Sequence, residues 1–370
     1  MEEVDRQAII RVKHQLAHLF KPNPWIFWTD LVVSSTVGWS AFVISLNVES
    51  LALKALCLFI SAYAMYRTLA FTHEMEHLKD GDLPYFRAGW HVVCGAPFCM
   101  PHFVYRGLHR IHHSTRYYGT PEDPEYLPFV AQGSFREPIL FMVLAFVFPF
   151  GVAMRYLVLA PLSVFSPRLR TWVVTKASGF VMKLDYARRV PTGRDMLIWR
   201  IEEVTTVIFV WSIVALVLNG VLPAMLFVHW FIVLSSIMIL NGFRGLAATH
   251  RYASTGEVLS FEDHIFDCVN LNRFSILNEL VGPVGLTYHA THHIFPGLPY
   301  YALPKAHKLL MKESEAEGKP LGFYLACQWS TITLAIARMI HLTREGKPQV
   351  GHKPAVAEPK PAVAAAFPDF

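Results

Sequence analysis

The sequence predicts an all-α integral membrane protein that has two transmembrane helical hairpins and a helical cytosolic cap. Hydrophobic residues make up 53% of the 370-residue chain and charged residues only 16%, a balance typical of chains whose apolar surface faces lipid. Four apolar stretches come close to the roughly 20 residues that cross a bilayer as a helix. Histidine clusters lie outside these stretches and predict a dimetal site in the cap.

The first predicted hairpin comprises residues 25–47 and 51–71, which are separated by only a few residues. Each stretch is long enough to cross a bilayer. Asp30, Lys54 and Arg67 lie toward the ends of these stretches, where charged side chains reach the interface or begin a functional interior.

The second predicted hairpin comprises residues 204–219 and 221–242 and is hinged at Asn219, Gly220 and Pro223. It has the stronger transmembrane pattern of the two hairpins. His229 lies in the middle of its second stretch, where we expect a neutral imidazole that is hydrogen-bonded to another helix.

A further apolar stretch at residues 138–165 is expected to be re-entrant or interfacial. The letters FPFG at 148–151 interrupt it, and Arg155 lies inside it. Basic residues at 168–200 follow the stretch, and the positive-inside tendency places them on the same side as the basic residues at 79–136. Four crossings satisfy this tendency and five do not.

This layout predicts the boundaries of the parts of the chain. Residues 1–24 form an amphipathic segment that we expect on the cytosolic membrane surface. Residues 25–345 form the membrane domain, whose cytosolic cap comprises 72–203 and 243–345. The Pro/Ala-rich tail at 346–370 is predicted to be disordered.

Charge and cysteine content exclude two other classes of protein. The net charge of +5 is assigned to membrane topology, because the basic residues fall between apolar runs instead of forming one patch for nucleic acid. The five cysteines form no CxxC pair, so we expect packing residues rather than disulfides or a thiolate metal site.

Three histidine clusters stand out: HEMEH at 73–77, HRIHH at 109–113 and HATHH at 289–293. Helical residues i and i+4 share a face, so the histidines at the ends of each motif converge. Adjacent histidines diverge by about 100 degrees and therefore suit two metal ions better than one. With His250, which follows the last apolar stretch, the candidate ligands are His73, His77, His109, His112, His113, His250, His289, His292 and His293.

The ligand type alone leaves the metal open, because imidazole binds iron, copper, zinc and nickel. His73, Glu74 and His77 match HExxH, so a membrane zinc metalloprotease is an alternative of a different class, although one zinc leaves six imidazoles unexplained. A histidine-rich dinuclear site that faces a membrane is well suited to iron that activates oxygen for an acyl chain. No acid, base or nucleophile of a protein can abstract hydrogen from a methylene.

The motifs resemble those of the membrane fatty acid desaturase and hydroxylase superfamily, whose pattern is HxxxH, HxxHH and HxxHH between transmembrane hairpins. The resemblance spans residues 60–310 and extends to GTPEDPEY and to HHIFPGLPYYALPKAH beyond the histidines. It implies a four-helix membrane stem under a cytosolic cap, two irons, dioxygen and an external electron donor of ferredoxin or cytochrome type. The chain has no haem-binding His-Pro-Gly-Gly stretch, so the donor is expected to be a separate protein.

The resemblance also points to residues around the ligands. Many members carry Glu before the histidine that matches His250, whereas this chain has Thr249, so that carboxylate is missing. A family asparagine near the last motif corresponds to Asn272 or Asn278. Carboxylates near the motifs can orient ligand imidazoles by accepting their second N–H, and Glu76 and Asp123 are preferred. The full set is Glu74, Glu76, Asp80, Glu122, Asp123 and Glu125.

The expected reaction is the oxidation of a fatty acid or acyl lipid on the cytoplasmic side of the membrane. Desaturation is favoured by the motif contexts, with decarboxylation of a fatty acid to a terminal alkene as the main alternative and hydroxylation next. Decarboxylation needs a cation near the irons to hold the substrate carboxylate. The candidates are Arg67, Arg106, Arg110 and Arg251. The basic surface that includes Arg188 and Arg189 is expected to contact either the electron donor or phospholipid.

Overall fold

The computed structural model describes residues 1–79 and 81–346, and in this part of the chain it contains helices and two isolated bridges but no β-strand. The predicted all-α class is therefore confirmed. The helices are α1 (Glu3–Leu16), α2 (Pro24–Asn47), α3 (Leu51–His77), α4 (Phe86–Trp90), α5 (Leu108–His113), α6 (Arg136–Met154), α7 (Ala160–Ser163), α8 (Pro167–Lys176), α9 (Gly193–Leu218), α10 (Met225–Ala247), α11 (Phe261–Asp267), α12 (Ile276–Val281), α13 (His289–Ile294), α14 (Leu303–Ser314), α15 (Gly322–Ala326) and α16 (Ile332–Glu345).

Within the described residues, five helical runs are long and apolar enough to cross a membrane, as in a multi-pass membrane protein. Four of them are α2, α3, α9 and α10. The fifth is the run Arg136–Ser163, in which a π-helical turn joins α6 to α7. Long apolar side chains on these helices are exposed at the surface of the protein, as lipid-facing residues are.

The first hairpin packs closely because a small residue lies between its helices. A Cβ atom on Gly38 of α2 would lie 2.4 Å from the Sδ atom of Met65 on α3. Ser50 caps α3 by accepting a hydrogen bond from the Leu53 N–H. Helix α3 continues six residues beyond the predicted crossing at 51–71 and ends at His77, so the first histidine motif forms its last turns.

The second hairpin differs from its predicted boundaries. Helix α9 begins at Gly193 rather than at residue 204, and α10 begins at Met225 rather than at 221. The early turns of α9 were not predicted because they contain charged residues, of which Glu202 and Glu203 are buried inside the protein. Glu203 is buried and pairs with Arg170 at 2.6 Å. The predicted cap segment 72–203 therefore includes the first turns of a long apolar helix.

The predicted interruption of the stretch 138–165 is wrong. Pro149 lies within α6 and the helix continues through a π-helical turn at Arg155–Leu159, the kind of local widening that accommodates a distortion. Arg155 is buried and pairs with Glu203 and Ser178, so its charge is satisfied by protein rather than by the interface. Helix α6 lies along α10, where the Ser235 hydroxyl donates to the Phe146 carbonyl at 2.8 Å.

The apolar face of the N-terminal helix packs against the cap. We had expected this face to lie on the membrane surface. Ala8, Val12 and Leu16 form its apolar face and are fully buried in the same hydrophobic core as residues of α14. Arg11 adds an ion pair with Glu313 of α14 at 2.8 Å. An amphipathic pattern requires an apolar neighbour, and here protein supplies it.

The cap surrounds the histidine motifs with one continuous core of α1, α11, α13, α14, α15 and α16 and the loop at 118–130.

In the second hairpin, His229 Nδ1 lies 2.8 Å from the Ser45 hydroxyl of α2, which confirms the predicted bond to another helix. The predicted disordered tail lies outside the described residues from 347 onward, and so does Asp80.

The position of α1 predicts how it tolerates a new charge. A Val12→Asp substitution is expected to lower the free energy of unfolding of the cap by about 3 kcal/mol or more, because it buries an unpaired carboxylate. Val4→Asp on the same helix is the matched control, since Val4 is 47% exposed. Thermal unfolding in detergent measures both variants, and equal melting temperatures for Val12→Asp and wild type would contradict the packing of α1 on the cap.

Candidate metal centre

The first histidine motif is placed by the end of α3. His73 and His77 are one helical turn apart, so their imidazoles lie on the same face, with ring centroids 5.3 Å apart. His73 is buried at 8% exposure, and His77 is partly buried. A membrane helix thus carries the first two candidate ligands into the cap.

The second motif occupies the short helix α5, which starts at a glycine turn. Gly107 has a φ of 77°, a conformation that few other residues adopt, and its N–H donates to Glu76 Oε2 at 2.7 Å. This bond ties the start of α5 to the end of α3. As a result His109 lies over the first motif, with ring centroids of His73 and His109 only 4.4 Å apart.

The third motif occupies α13, which also follows a glycine turn. Gly285 has a φ of 71°, and a Cβ atom there would lie 3.0 Å from the Tyr300 carbonyl oxygen and the Leu303 side chain. Glycine therefore allows the loop after α12 to turn tightly against the cap before α13 begins. All six residues of α13 are buried.

These elements bring all nine predicted histidines together, in two groups. Cluster A contains five of them and cluster B four; within each group one nitrogen from every ring lies within 4.8 Å of the others. Cluster A is His73, His77, His109, His113 and His292. Cluster B is His112, His250, His289 and His293.

Adjacent histidines are divided between the two groups, as their helical geometry predicts. His112 belongs to cluster B and His113 to cluster A, and His293 and His292 are divided in the same way. The rings of His113 and His293 stack at 4.0 Å, so the two clusters are immediate neighbours.

Nitrogen atoms within the clusters approach one another as ligands of one ion do. His292 Nε2 lies 3.1 Å from both His77 Nε2 and His113 Nε2 in cluster A. In cluster B, His289 Nε2 and His250 Nε2 are 3.2 Å apart. Two nitrogens bound at right angles to one metal, at the usual ~2.1 Å, are about 3 Å apart.

The protonation states of these rings also fit metal binding. Burial, together with neighbouring imidazoles, lowers the pKa of the cap histidines, so the rings are neutral and each has a nitrogen lone pair. The rings with a lowered pKa are His109, His113, His250, His289, His292 and His293. For His112, burial acts in the same direction, but the Asp123 carboxylate reverses it and raises the pKa.

Two buried ring nitrogens test whether a metal fits. His73 Nε2 in cluster A and His293 Nε2 in cluster B have no hydrogen-bond partner within the described residues. Buried polar atoms in proteins are almost always satisfied, so an ion in each cluster explains both exceptions. Ligand sets of imidazole alone suit iron, zinc, copper or nickel and not the oxygen-seeking magnesium or calcium.

Outer residues orient cluster A through the second ring nitrogen of His109. His109 Nδ1 lies 3.0 Å from Glu125 Oε1 and 2.8 Å from the Tyr105 hydroxyl. Burial raises the pKa of Glu125 to about 7. Glu125 was among the carboxylates predicted near the motifs, whereas Tyr105 was missed.

Outer residues orient cluster B in three places. Asp123 is fully buried and lies 2.9 Å from His112 Nδ1, in the position predicted for a ligand-orienting carboxylate. The Tyr118 hydroxyl lies 2.8 Å from His250 Nδ1. His264 Nε2 lies 2.8 Å from His293 Nδ1.

The other preferred carboxylate, Glu76, has a different position. It is buried, it accepts the Gly107 N–H, and its second oxygen lies 3.0 Å from His102 Nε2. It forms no hydrogen bond with a clustered imidazole among the described contacts. Glu76 therefore supports the start of α5 through the Gly107 N–H.

Glu74 is not placed as the general base of a metalloprotease. Its side chain is 5% exposed, and its Oε2 accepts the backbone N–H of Tyr300 at 3.0 Å. Its other oxygen lies 3.3 Å from His73 Nδ1, on the outer side of that ring. A zinc protease needs this carboxylate beside the metal-bound water, and here it is behind a ligand.

The four arginines predicted to bind a substrate carboxylate already have partners. Arg67 forms an ion pair with Asp30 at 2.7 Å, and Arg106 pairs with Asp195 at the same distance. Arg110 donates to the Glu76 carbonyl oxygen at 3.0 Å.

Arg251 is also committed within the protein. Its guanidinium donates to the carbonyls of Phe266 and Ala326 and lies over the Phe266 and Trp329 rings.

Asn270 and Arg244 also act on the motifs, although nothing in the sequence predicted it. Asn278, one of two predicted asparagines, bonds the backbone of Arg273, Ser330 and Ile332, whereas Asn270 accepts the Thr291 N–H of α13. The Arg244 charge lowers the pKa of His250 and of His289, although burial is the larger cause for both rings.

Comparisons with known proteins identify the family of the chain. The family model for fatty acid desaturases matches residues 49–324. A ceramide hydroxylase of Caulobacter vibrioides is 36% identical over 299 residues, which cover 81% of this chain and 84% of that protein. No solved structure matches the chain. The chain belongs to the fatty acid desaturase family and is a membrane oxidoreductase that acts on fatty acids or lipids.

Proposed function

We propose that the protein hydroxylates the acyl chain of a ceramide-like membrane lipid, using dioxygen and two irons held by clusters A and B. The observation that carries this proposal is the similarity to a ceramide hydroxylase over four fifths of both chains. This similarity moves hydroxylation ahead of desaturation, which the motif contexts favoured.

Each cluster supports the proposal by offering enough imidazole ligands for one iron, five in cluster A and four in cluster B. The irons would supply the activation of dioxygen that oxidation of an unactivated C–H bond requires. The protein holds the ligand rings in their metal-binding form: Glu125 and Tyr105 fix His109, and Asp123 fixes His112. All four histidines of cluster B are buried, whereas His77 and His113 of cluster A are partly exposed.

A cavity of about 180 Å³ with both apolar and polar lining residues offers a place for part of the lipid. It lies between α6, α10 and the segment 175–188 and is lined by Phe141, Leu144, Ala145, Phe148, Thr175, Lys176, Gly179, Phe180, Val181, Leu184, Tyr186, Arg188, Met238 and Asn241. The ring of Phe180 lies 6.0 Å from that of Tyr105, which bonds His109. Only the Tyr105 side chain thus separates the cavity wall at Phe180 from His109 of cluster A.

Desaturation is the second candidate, because the matching family model is that of fatty acid desaturases. The two reactions share the first hydrogen removal and differ in whether the substrate radical then gains a hydroxyl or loses a second hydrogen. Alkene-forming decarboxylation is less favoured, since all four candidate arginines are engaged by partners within the protein.

We infer that four helices cross the bilayer, within one membrane domain at residues 25–345. His112 and His250 are in contact, with ring centroids 4.9 Å apart, so the chain between them crosses the membrane an even number of times. Helices α9 and α10 form a hairpin joined by residues 219–224. The run Arg136–Ser163 then does not cross the bilayer, and both of its ends lie on the same side.

We propose that this side is the cytoplasm, because the basic residues at 79–136 and 168–200 adjoin it. A separate redox protein of ferredoxin or cytochrome type would then supply electrons there. Arg188 does not take part in docking, because it is buried and donates to the backbone carbonyls of Phe103 and Ser178. Arg189 remains on the surface.

Single cysteines test this topology, because all five native cysteines are buried. In intact cells, an impermeant maleimide is expected to label Val221→Cys, whereas Lys79→Cys and Arg168→Cys react only after permeabilisation. The wild-type protein is the unlabelled control. Labelling of Arg168→Cys from outside would show that Arg136–Ser163 crosses the bilayer.

The proposed reaction is tested by product analysis. Iron-loaded protein in nanodiscs, with a reductase system and ¹⁸O₂, is given a ceramide that has a deuterated saturated acyl chain. Mass spectrometry is expected to find a hydroxylated ceramide that contains one ¹⁸O atom. A double bond without added oxygen would instead support desaturation. In a parallel reaction with the free fatty acid, a terminal alkene one carbon shorter would support decarboxylation.

Matched histidine variants show whether the product depends on both clusters. His112→Ala removes a ligand from cluster B and His113→Ala removes one from cluster A, so each is expected to reduce product to background. His341→Ala is the control, because this side chain is 69% exposed on α16 and belongs to neither cluster. Full turnover by His112→Ala or His113→Ala would exclude the two-cluster site.

A further inference from the structure

Cluster B has an outer support that begins at a carboxylate distant from the ligands in sequence. Asp267 is 3% exposed and accepts three hydrogen bonds. The hydroxyls of Tyr118 and Tyr126 donate to its Oδ2, both at 2.8 Å, and the Ala253 N–H donates to its Oδ1 at 3.1 Å. Asp267 thereby fixes the direction in which both phenol hydroxyls point.

The direction of the Tyr118 hydroxyl determines the tautomer of His250. The Tyr118 hydroxyl uses its hydrogen to donate to Asp267. Its oxygen therefore accepts a hydrogen bond from the N–H at His250 Nδ1, 2.8 Å away. The proton of His250 is therefore on Nδ1, and the lone pair is on Nε2. That nitrogen is the one that approaches His289 Nε2 within cluster B.

The ring of Tyr118 supports a second ligand. It stacks on the imidazole of His264, with centroids 3.7 Å apart and planes inclined by 21°. His264 Nε2 in turn lies 2.8 Å from His293 Nδ1, which leaves His293 Nε2 for the cluster. One tyrosine thus contacts His250 through its hydroxyl and His293 through His264.

We propose that Tyr118, held by Asp267, is the positioning residue for the metal of cluster B and stands in for the acid that is missing before His250. The proposal rests on the proposed two-metal function. Thr249 occupies the position of that acid, and the hydrogen-bonded path from Asp267 through Tyr118 brings a buried carboxylate to the same ring from another part of the chain.

The fold offers a matched control for this role. Tyr118 and Tyr126 donate to the same oxygen of Asp267 at the same distance, and both side chains are buried. Tyr118 alone of the two hydrogen-bonds a clustered imidazole in the described contacts; Tyr126 instead accepts the Ser254 N–H. Removing either hydroxyl costs Asp267 one donor, but removing that of Tyr118 also frees His250.

The experiment titrates the metal-free full-length protein in nanodiscs with Co²⁺, recording stoichiometry, affinity by chelator competition and the visible absorption of bound Co²⁺. Wild type is expected to bind two ions. Tyr118→Phe is expected to weaken one of the two sites about 10–100-fold and to change its spectrum, as loss of an outer-shell partner does. Tyr126→Phe is expected to leave both sites unchanged.

The outcomes separate this inference from the proposed function. Fewer than two ions in wild type would overturn the two-metal site itself. Two ions in wild type, with unchanged affinities and spectrum in Tyr118→Phe, would overturn the role of Tyr118 alone. A third ion would show that His264, Cys268 and His293 bind metal, and would overturn the role of His264 as a hydrogen-bonding support.

A second variant guards against a folding defect. If Tyr118→Phe melts well below Tyr126→Phe, Asp267→Asn replaces it in the titration, since this change keeps the shape of the side chain. The same weakened site and altered spectrum are expected, because the amide holds the phenol less strongly than the carboxylate does. Wild-type behaviour in a folded Asp267→Asn variant would contradict the proposal.

Discussion

The structure depends on one constraint: nine imidazoles must be held in two groups inside the cap, with one nitrogen of every ring within 4.8 Å of the others in its group. Such an arrangement is unfavourable without a positive charge between the rings, because lone pairs repel and buried nitrogens need partners. Two metal ions would remove this cost. The fold supplies the ligands from α3, α5, α13 and the segment after α10, which holds His250, so the ions would join membrane helices to the cap.

The outer residues decide which nitrogen of each ring is free for metal. Asp123 and Glu125 act directly on the second motif, whereas Asp267 acts through Tyr118 on the histidine that lacks a neighbouring acid. A carboxylate therefore orients a ligand ring in two ways. Asp123 and Glu125 are close in sequence to the rings that they orient, whereas Asp267 is distant in sequence from Tyr118, through which it acts. In both, a buried carboxylate gains its function from the ring that it orients.

The sequence predicted the parts that follow from short-range geometry. Division of His112 and His113 between two clusters follows from the 100-degree step of a helix, and Asp123 lies close in sequence to the ring that it bonds. The missed features depend on distant contacts. The start of α9 at Gly193 was not predicted, because charged residues are unsuited to a long apolar helix unless they have partners. Those partners, such as Arg170 for Glu203, come from other parts of the chain. The amphipathic pattern of α1 is the same for a lipid surface and for the cap, so only the tertiary structure decided between them.

The most direct test of the central claim is anomalous X-ray scattering at the iron absorption edge from crystals of the iron-loaded protein. Two peaks are predicted for each chain. One should lie among the cluster A nitrogens, between His113 and His292, and the other among those of cluster B, between His112 and His293. A single peak, or two peaks within one cluster, would contradict the division of adjacent histidines between two irons.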